Sequence, residues 1–201
     1  MNHLAHFKLA AATPDLLTGN VLADFVKGRL VGRYPAPVER GIKLHRAIDA
    51  FTDSHPVVLA SHRRFDPRYR RYGGIITDIV FDHFLALEWQ RFDSRPLDDF
   101  CETSLRQVLA SSHLLSPPAI DRMQRMLKHQ SMQGYTQTAF IDRSFVYLAT
   151  RLTRDNPLHL AYSQFEEQNA ALKQDFDTFF PALEQFARSW LETNDIQEAI
   201  T

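Results

Sequence analysis

Residues 39–54 read Glu39-Arg40-Gly41-Ile42-Lys43-Leu44-His45-Arg46-Ala47-Ile48-Asp49-Ala50-Phe51-Thr52-Asp53-Ser54. Read as a helix, the stretch puts His45, Asp49 and Asp53 at four-residue intervals and stacks them on one face. Ile42, Ala47, Ile48 and Phe51 are left to pack other parts of the same helix. Imidazole with carboxylates is a ligand set for a divalent cation. The plainer reading of the same triple is a solvated, salt-bridged helix face. The choice depends on whether the rest of the chain supplies partners.

Working outward, apolar residues recur at three and four rather than at two. Leu16, Leu17, Val21, Leu22 and Phe25 form one stripe, Ile75, Ile76, Ile79, Val80 and Leu87 a second, and Leu105, Val108 and Leu109 a third. Phe140, Phe145, Leu148 and Leu152 follow, then Phe176, Phe179, Phe180, Leu183, Phe186 and Trp190, an aromatic stripe best explained by core packing. Ten prolines, from Pro14 to Pro181, divide the chain into pieces of helical length. Several follow Thr, Ser or Asp where a helix can be capped and started. Alternating strands with Asn-Gly or Asp-Gly turns are missing. The spacing predicts an all-α bundle of about seven or eight helices, and the 201 residues are expected to form a single domain, 1–201.

Composition narrows the function classes. A net charge of −1 argues against a general nucleic-acid binder. The single cysteine, Cys101, excludes an internal disulfide framework and fits a reducing cytoplasm, with a small buried hydrophobe as its expected role. The first residues lack a basic stretch followed by a long apolar run, so no secretion signal is expected. No apolar run approaches the roughly 18–20 residues that span a membrane.

The polar chemistry collects in the first half. Six of the nine histidines, His3, His6, His45, His55, His62 and His83, lie at or before residue 83. Asp24 sits inside the apolar run Val21-Leu22-Ala23-Asp24-Phe25, one turn after Asn20. Burying it is expensive unless it is paired or bound to a cation, and an N-cap or a salt bridge to Lys27 is the bland alternative. Asp78 and Asp82 lie one turn apart in another apolar helix, with His83 adjacent. Desolvating an isolated carboxylate costs several kcal/mol as an order of magnitude, so these two need partners. Helical bundles build metal sites by projecting such residues inward from facing helices. Carboxylate and imidazole donors without a usable thiolate favour Mn2+, Mg2+ or Fe2+ over structural zinc.

A basic segment lies between the acidic helices. Residues 62–74 carry Arg63, Arg64, Arg68, Arg70 and Arg71 against one aspartate, interleaved with Phe65, Tyr69 and Tyr72. Lys27, Arg29 and Arg33 extend the patch in sequence terms. Arginine favours phosphate and carboxylate through its planar fork. An acidic protein or a phosphorylated small molecule fits such a patch better than nucleic acid, and an ordinary solvated loop remains the plain reading.

Four segments taken in order resemble the motifs of a known family. They are Asn2-His3-Leu4-Ala5-His6, Gly19-Asn20-Val21-Leu22-Ala23-Asp24-Phe25-Val26-Lys27-Gly28, Gly41 to Asp53, and Asp78-Ile79-Val80-Phe81-Asp82-His83-Phe84-Leu85. Together they are similar to the acyl carrier protein phosphodiesterases. The resemblance covers residues 1 to about 90 and implies a fold related to the HD-domain metal phosphohydrolases. In place of the adjacent His-Asp pair of HD domains, this chain carries His45 with Asp49 and the reversed pair Asp82-His83. The implied reaction is Mn2+-dependent hydrolysis of the phosphodiester joining 4′-phosphopantetheine to the carrier's serine.

On that reading Asp24, His45, Asp49 and Asp82 are the expected metal ligands. His6 and His83 are expected as a further ligand, as proton donor to the leaving serine oxygen, or as both. Asn20, Asp53 and Asp78 are expected to orient the ligands from behind. Arg46 is expected to hold a phosphate oxygen, and Arg63, Arg64, Arg68, Arg70 and Arg71 to meet the acidic acyl carrier protein. Two rivals stand beside this reading: an HD-like metal hydrolase of nucleotides, and a non-enzymatic helical module that binds metal. The paired Glu-x-x-His motifs of ferritin-like metal bundles are absent.

Overall fold

Proline places most of the helix starts. In the computed structural model, which describes residues 2–30 and 32–199 with side chains to 194, nine α-helices form and no strand does among the described residues. They are α1 (His3–Ala10), α2 (Pro14–Leu22), α3 (Ala36–Ser54), α4 (Pro56–Arg64), α5 (Gly73–Leu87), α6 (Leu97–Ala110), α7 (Pro117–Lys128), α8 (Thr138–Arg151) and α9 (Tyr162–Ala199). Short 3₁₀ turns fill several of the connections. Proline occupies the first helical positions of α2, α3, α4 and α7, where its missing N–H costs nothing. Thr13 caps α2 by accepting the Leu16 amide at 3.2 Å.

The count exceeds the expected seven or eight, and one proline does not punctuate. Pro181 lies inside α9, whose 38 residues continue through it. An interior proline costs a helix about 3 kcal/mol. Here the flanking face is anchored by Phe176, Phe179, Phe180 and Leu183, all fully buried. Phe81 and Phe84 of α5 pack against Phe176 at 5.9 and 5.8 Å between ring centroids, and Phe51 of α3 stacks on Phe186 at 4.4 Å. The aromatic stripe near the C-terminus is therefore core, as its spacing predicts. Cys101 of α6 is fully buried, and desolvation pushes its thiol up to about 12, far from thiolate chemistry.

The pairing of α2 with α3 matters most for the site. A Cβ on Gly19 would stand 2.0 Å from the Val38 carbonyl oxygen, and one on Gly41 would stand 2.2 Å from that of Leu16. Only glycine at both positions lets the two backbones touch. That closeness sets Asn20 of α2 beside His45 of α3. α1 packs on α2, α3 and α5, while α9 packs on α3, α4 and α5. No described helix is long and apolar enough to cross a membrane.

Candidate metal centre

Two imidazoles and a carboxylate meet where α1 crosses α3. Within α3, His45 Nε2 lies 3.1 Å from Asp49 Oδ2, the i,i+4 contact that the helical spacing predicts. From α1, His6 Nε2 reaches Asp49 Oδ1 at 3.0 Å. The rings of His6 and His45 stack with centroids 3.9 Å apart and planes within 18°. One ligand atom from each of the three residues falls within 4.8 Å of the others, and no other such group exists among the described residues. His6 is buried, whereas the Asp49 side chain is 44% exposed. The cluster thus has a closed back and an open front.

The recess in front is lined by His3, His6, Asn20, Asp24, His45 and Met123. Asn20, itself buried, offers Oδ1 to His45 Nδ1 at 3.3 Å. His45 Nε2 lies beside Asp49 Oδ2 and, at 3.7 Å, Asp24 Oδ1. With the proton on Nε2 it donates to Asp49, and with the proton on Nδ1, donated to Asn20, it turns a lone pair toward both carboxylates, the arrangement that a cation would favour. His6 Nδ1 and Asn20 Nδ2 are also buried without a hydrogen-bond partner. A donor set of this kind fits a divalent cation.

Electrostatics agree. Burial lowers the His6 pKa to about 4, overriding its bond to Asp49, so the ring is neutral at pH 7 and keeps a lone pair to donate. Burial opposes ionisation of Asp49, but hydrogen bonds from His45 and His6 outweigh it and hold the carboxyl well below the usual range. His3 also falls to about 4, chiefly through desolvation, with Asp24 opposing and Arg122 assisting.

Several expected site residues stand elsewhere. Asp24 is not inside a helix: α2 ends at Leu22, and Asp24 lies in the turn beyond, paired with Arg122 at 2.8 Å rather than with Lys27. It reaches the site only as the second, longer neighbour of His45. Asp82, expected as a ligand, spends both oxygens on the first turn of α1. Oδ2 accepts the Leu4 amide at 2.8 Å and Oδ1 accepts the Ala5 amide at 3.1 Å. Its apolar surroundings are explained by this remote cap, since a helix leaves its first amides without partners and attracts negative charge there. His83, expected at the chemistry, is buried against Phe165 and donates Nδ1–H to the Tyr135 carbonyl at 2.6 Å. Arg46 does not face the recess. Its two terminal nitrogens bind the carbonyls of Val26 and Gly28 at 2.9 and 3.0 Å, fastening the loop after α2. Asp53 is exposed one turn beyond Asp49, and both it and Asp78 act electrostatically on His62. Asp78 also acts on His3.

Sequence reasoning missed His3, Arg122 and Met123. His3 had a local signal, since His3 and His6 are three residues apart on one helical face. Arg122 and Met123 had none, because they arrive from α7, about a hundred residues after α2.

In the basic segment the arginines are exposed but the aromatics are not. Phe65 and Tyr69 are fully buried, and Tyr72 nearly so. Arg68 and Arg71 lie over the Tyr69 and Tyr72 rings at 4.8 and 5.1 Å. Arg64 forms an ion pair with Asp175 of α9, and Arg70 Nε binds the Phe65 carbonyl at 3.0 Å.

Comparison with known proteins identifies relatives of this chain. A family model described as acyl carrier protein phosphodiesterase matches residues 1–183. Acyl carrier protein phosphodiesterase of Serratia proteamaculans is 35% identical over 191 residues, covering 94% of this chain and 98% of the relative. The protein of the same name from Yersinia pestis is 35% identical over 188 residues, covering 91% and 95%. That of Escherichia coli O157:H7 is 32% identical over 184 residues, with the same coverage. No solved structure matches the chain.

Proposed function

The chain belongs to the acyl carrier protein phosphodiesterase family, and from that premise we propose that it releases 4′-phosphopantetheine from the serine of holo acyl carrier protein. The observation that carries the reading is the convergence of His6, His45 and Asp49, whose ligand atoms lie within 4.8 Å of one another beside a recess that His6 and His45 line. These three residues would hold a divalent cation, with Asp24 alongside, and Mn2+ is the ion we assign ahead of Mg2+ or Fe2+. Bound there, the cation would offset charge on the phosphoryl oxygens and acidify the attacking water.

The protein's own groups do the rest. Asn20 fixes the tautomer and ring plane of His45. Stacking of His6 on His45 fixes the two rings relative to each other. His3, on the wall of the recess, takes the place expected for His83 beside the leaving serine oxygen. Asp53 and Asp78 act from a distance on His62 and, for Asp78, on His3. Arg63, Arg64, Arg68, Arg70 and Arg71 form the surface we assign to the carrier protein. Asp78 links the two regions, since it acts electrostatically both on His3 in the recess and on His62 at the head of the arginine segment. The single buried cysteine and the carrier substrate fit a cytoplasmic enzyme.

The test is a metal-stripped preparation reloaded with Mn2+, Mg2+ or Zn2+ and given holo acyl carrier protein, read by mass spectrometry. Loss of the phosphopantetheine mass with Mn2+, and its retention without metal, is the expected result. Intact holo carrier protein under every metal would refute the assignment. Turnover should also fall as salt rises, because exposed arginines steer an acidic partner through screened fields. A salt-independent kcat/KM would remove the arginine segment from the docking surface.

A further inference from the structure

Asp24 lines the recess, and the Asp49 carboxylate lies beside it, 3.1 Å from His45 Nε2. The two carboxylates would offset the charge of a divalent cation held beside them, so an approaching phosphodiester gains from a further fixed cation at the rim. Arg46, the arginine nearest in sequence, is committed to backbone carbonyls. Arg122 is the cation that the fold places there. It projects from α7 one residue before Met123, which lines the recess, while Ala119, Met123 and Met126 pin the helix inward.

Its guanidinium is held on two sides. Nη1 donates to Asp24 Oδ2 at 2.8 Å, and the guanidinium carbon lies 5.2 Å from the centroid of the Phe25 ring. The side chain remains 42% exposed, and among the described residues Nε and Nη2 make no hydrogen bond. Its charge acts on His3 within the recess. The other oxygen of Asp24 is the one 3.7 Å from His45 Nε2, so a single carboxylate connects Arg122 to the imidazole cluster.

We propose that Arg122 is the anion-binding residue of this site, receiving the non-bridging oxygens of the scissile phosphodiester on its unused Nε–Nη2 edge. The substrate class rests on the phosphodiesterase reading above. The geometry suits the task. A planar guanidinium presents two parallel donors to a phosphate, and anchoring by Asp24 and Phe25 reduces the rotamer freedom lost on binding.

The probe is inorganic phosphate, titrated calorimetrically into Mn2+-loaded protein, with Mn2+ affinity measured separately by electron paramagnetic resonance. Arg122→Gln is expected to weaken phosphate binding at least about 10-fold, the loss of a charge-assisted hydrogen-bonded pair, with Mn2+ affinity within about 3-fold of the parent. Arg122→Lys keeps the charge without the fork and should fall between the two. It decides the matter if Arg122→Gln does not fold, because phosphate affinity equal to the parent's would then overturn the proposal. Arg125→Gln, one turn along the same helix, should bind phosphate like the parent. The proposal also fails if Arg122→Gln binds phosphate normally, if Arg125→Gln loses as much, or if Mn2+ affinity falls in parallel with phosphate, since Arg122 would then act only by placing Asp24. Holo acyl carrier protein is run alongside. An inert parent enzyme with the phosphate difference intact refutes the substrate reading and leaves the anion subsite standing. Normal turnover with no phosphate difference does the reverse.

Discussion

Two regions of this protein carry the same chemical alphabet and use it differently. On α3, His45 and Asp49 meet His6 of α1 in direct contact and bring imidazole nitrogens and a carboxylate together where a cation could bind. On α5, Asp82 and His83 are equally acidic and imidazole-bearing, yet both are consumed by backbone. Asp82 caps α1 through two amides, and His83 donates to the Tyr135 carbonyl. The first region has donors that suit a cation, whereas in the second both Asp82 oxygens and His83 Nδ1 are answered by peptide groups. Residue type marks both as special, and only the partners distinguish a cluster that could hold a cation from one whose groups are spent on the backbone. The two are coupled through α1, because Asp82 holds the first turn of the helix that delivers His6.

The comparison breaks most sharply at Asp49. Replacing it with alanine should cost about 10³-fold or more in turnover, because a metal centre supplies several kcal/mol of transition-state charge stabilisation and each 1.4 kcal/mol is tenfold. Mn2+ binding should be lost with it. The melting temperature should fall modestly, since the side chain is partly exposed but its removal leaves buried His6 without its partner. Asp82→Ala should lower the melting temperature further, while metal affinity follows only the disorder of α1. If Asp82→Ala abolished Mn2+ binding in a protein that melts normally, Asp82 would be a ligand and the distinction would collapse.

The contrast also explains what the sequence could convey. The i,i+4 pair His45–Asp49 is local, so helical spacing alone sets it. Prolines at first helical positions fixed the starts of α2, α3, α4 and α7 for an equally local reason. Asp82 in an apolar helix rightly signals a buried partner, but the pattern does not say whether that partner is a cation or the amides of Leu4 and Ala5, 78 and 77 residues away. Arg46 misled because neighbours on a helix point about 100° apart, so standing next to His45 in sequence directs it away from the recess. Asp24 misled because the apolar run continues past the point where α2 stops at Leu22. Pro181 inside α9 shows tertiary burial overriding a local breaker. Arg122 and Met123 were illegible, since nothing local ties α7 to the turn after α2.

A second test sharpens the geometry that makes the first region open. Gly41→Ala places a methyl 2.2 Å from the Leu16 carbonyl oxygen, so α2 and α3 must separate. Overpacking of this kind costs about 3 kcal/mol, and more when backbone must move. Chemical denaturation should show that loss. Because Asn20 and His45 sit on the two helices being separated, Mn2+ affinity should fall even in the folded fraction. Gly74→Ala, where a Cβ meets nothing within 4 Å, is the matched control and should be neutral or slightly stabilising. Equal stability of the two variants would show that the close approach of α2 and α3 is not required.

The smallest effect concerns the charge on Asp82. Burial pushes its carboxyl up to about 7, against the pull of the Leu4 and Ala5 amides. A folded-state value above the unfolded one means that the native protein binds the proton more tightly. Asp82 therefore withdraws stability as pH rises from about 4 to about 7. Asparagine imitates the protonated acid and has no such slope. The destabilisation caused by Asp82→Asn, measured by urea denaturation against the parent protein, should thus shrink as pH rises from 5 to 8, by on the order of 1–3 kcal/mol. The histidine contributions are common to both proteins and cancel in the difference. A penalty that stays constant over that range would mean that the two amides outweigh burial and that the carboxylate is already ionised at pH 5. Asp82 would then be a charged cap throughout, and its region would differ from that of Asp49 only in what its oxygens face.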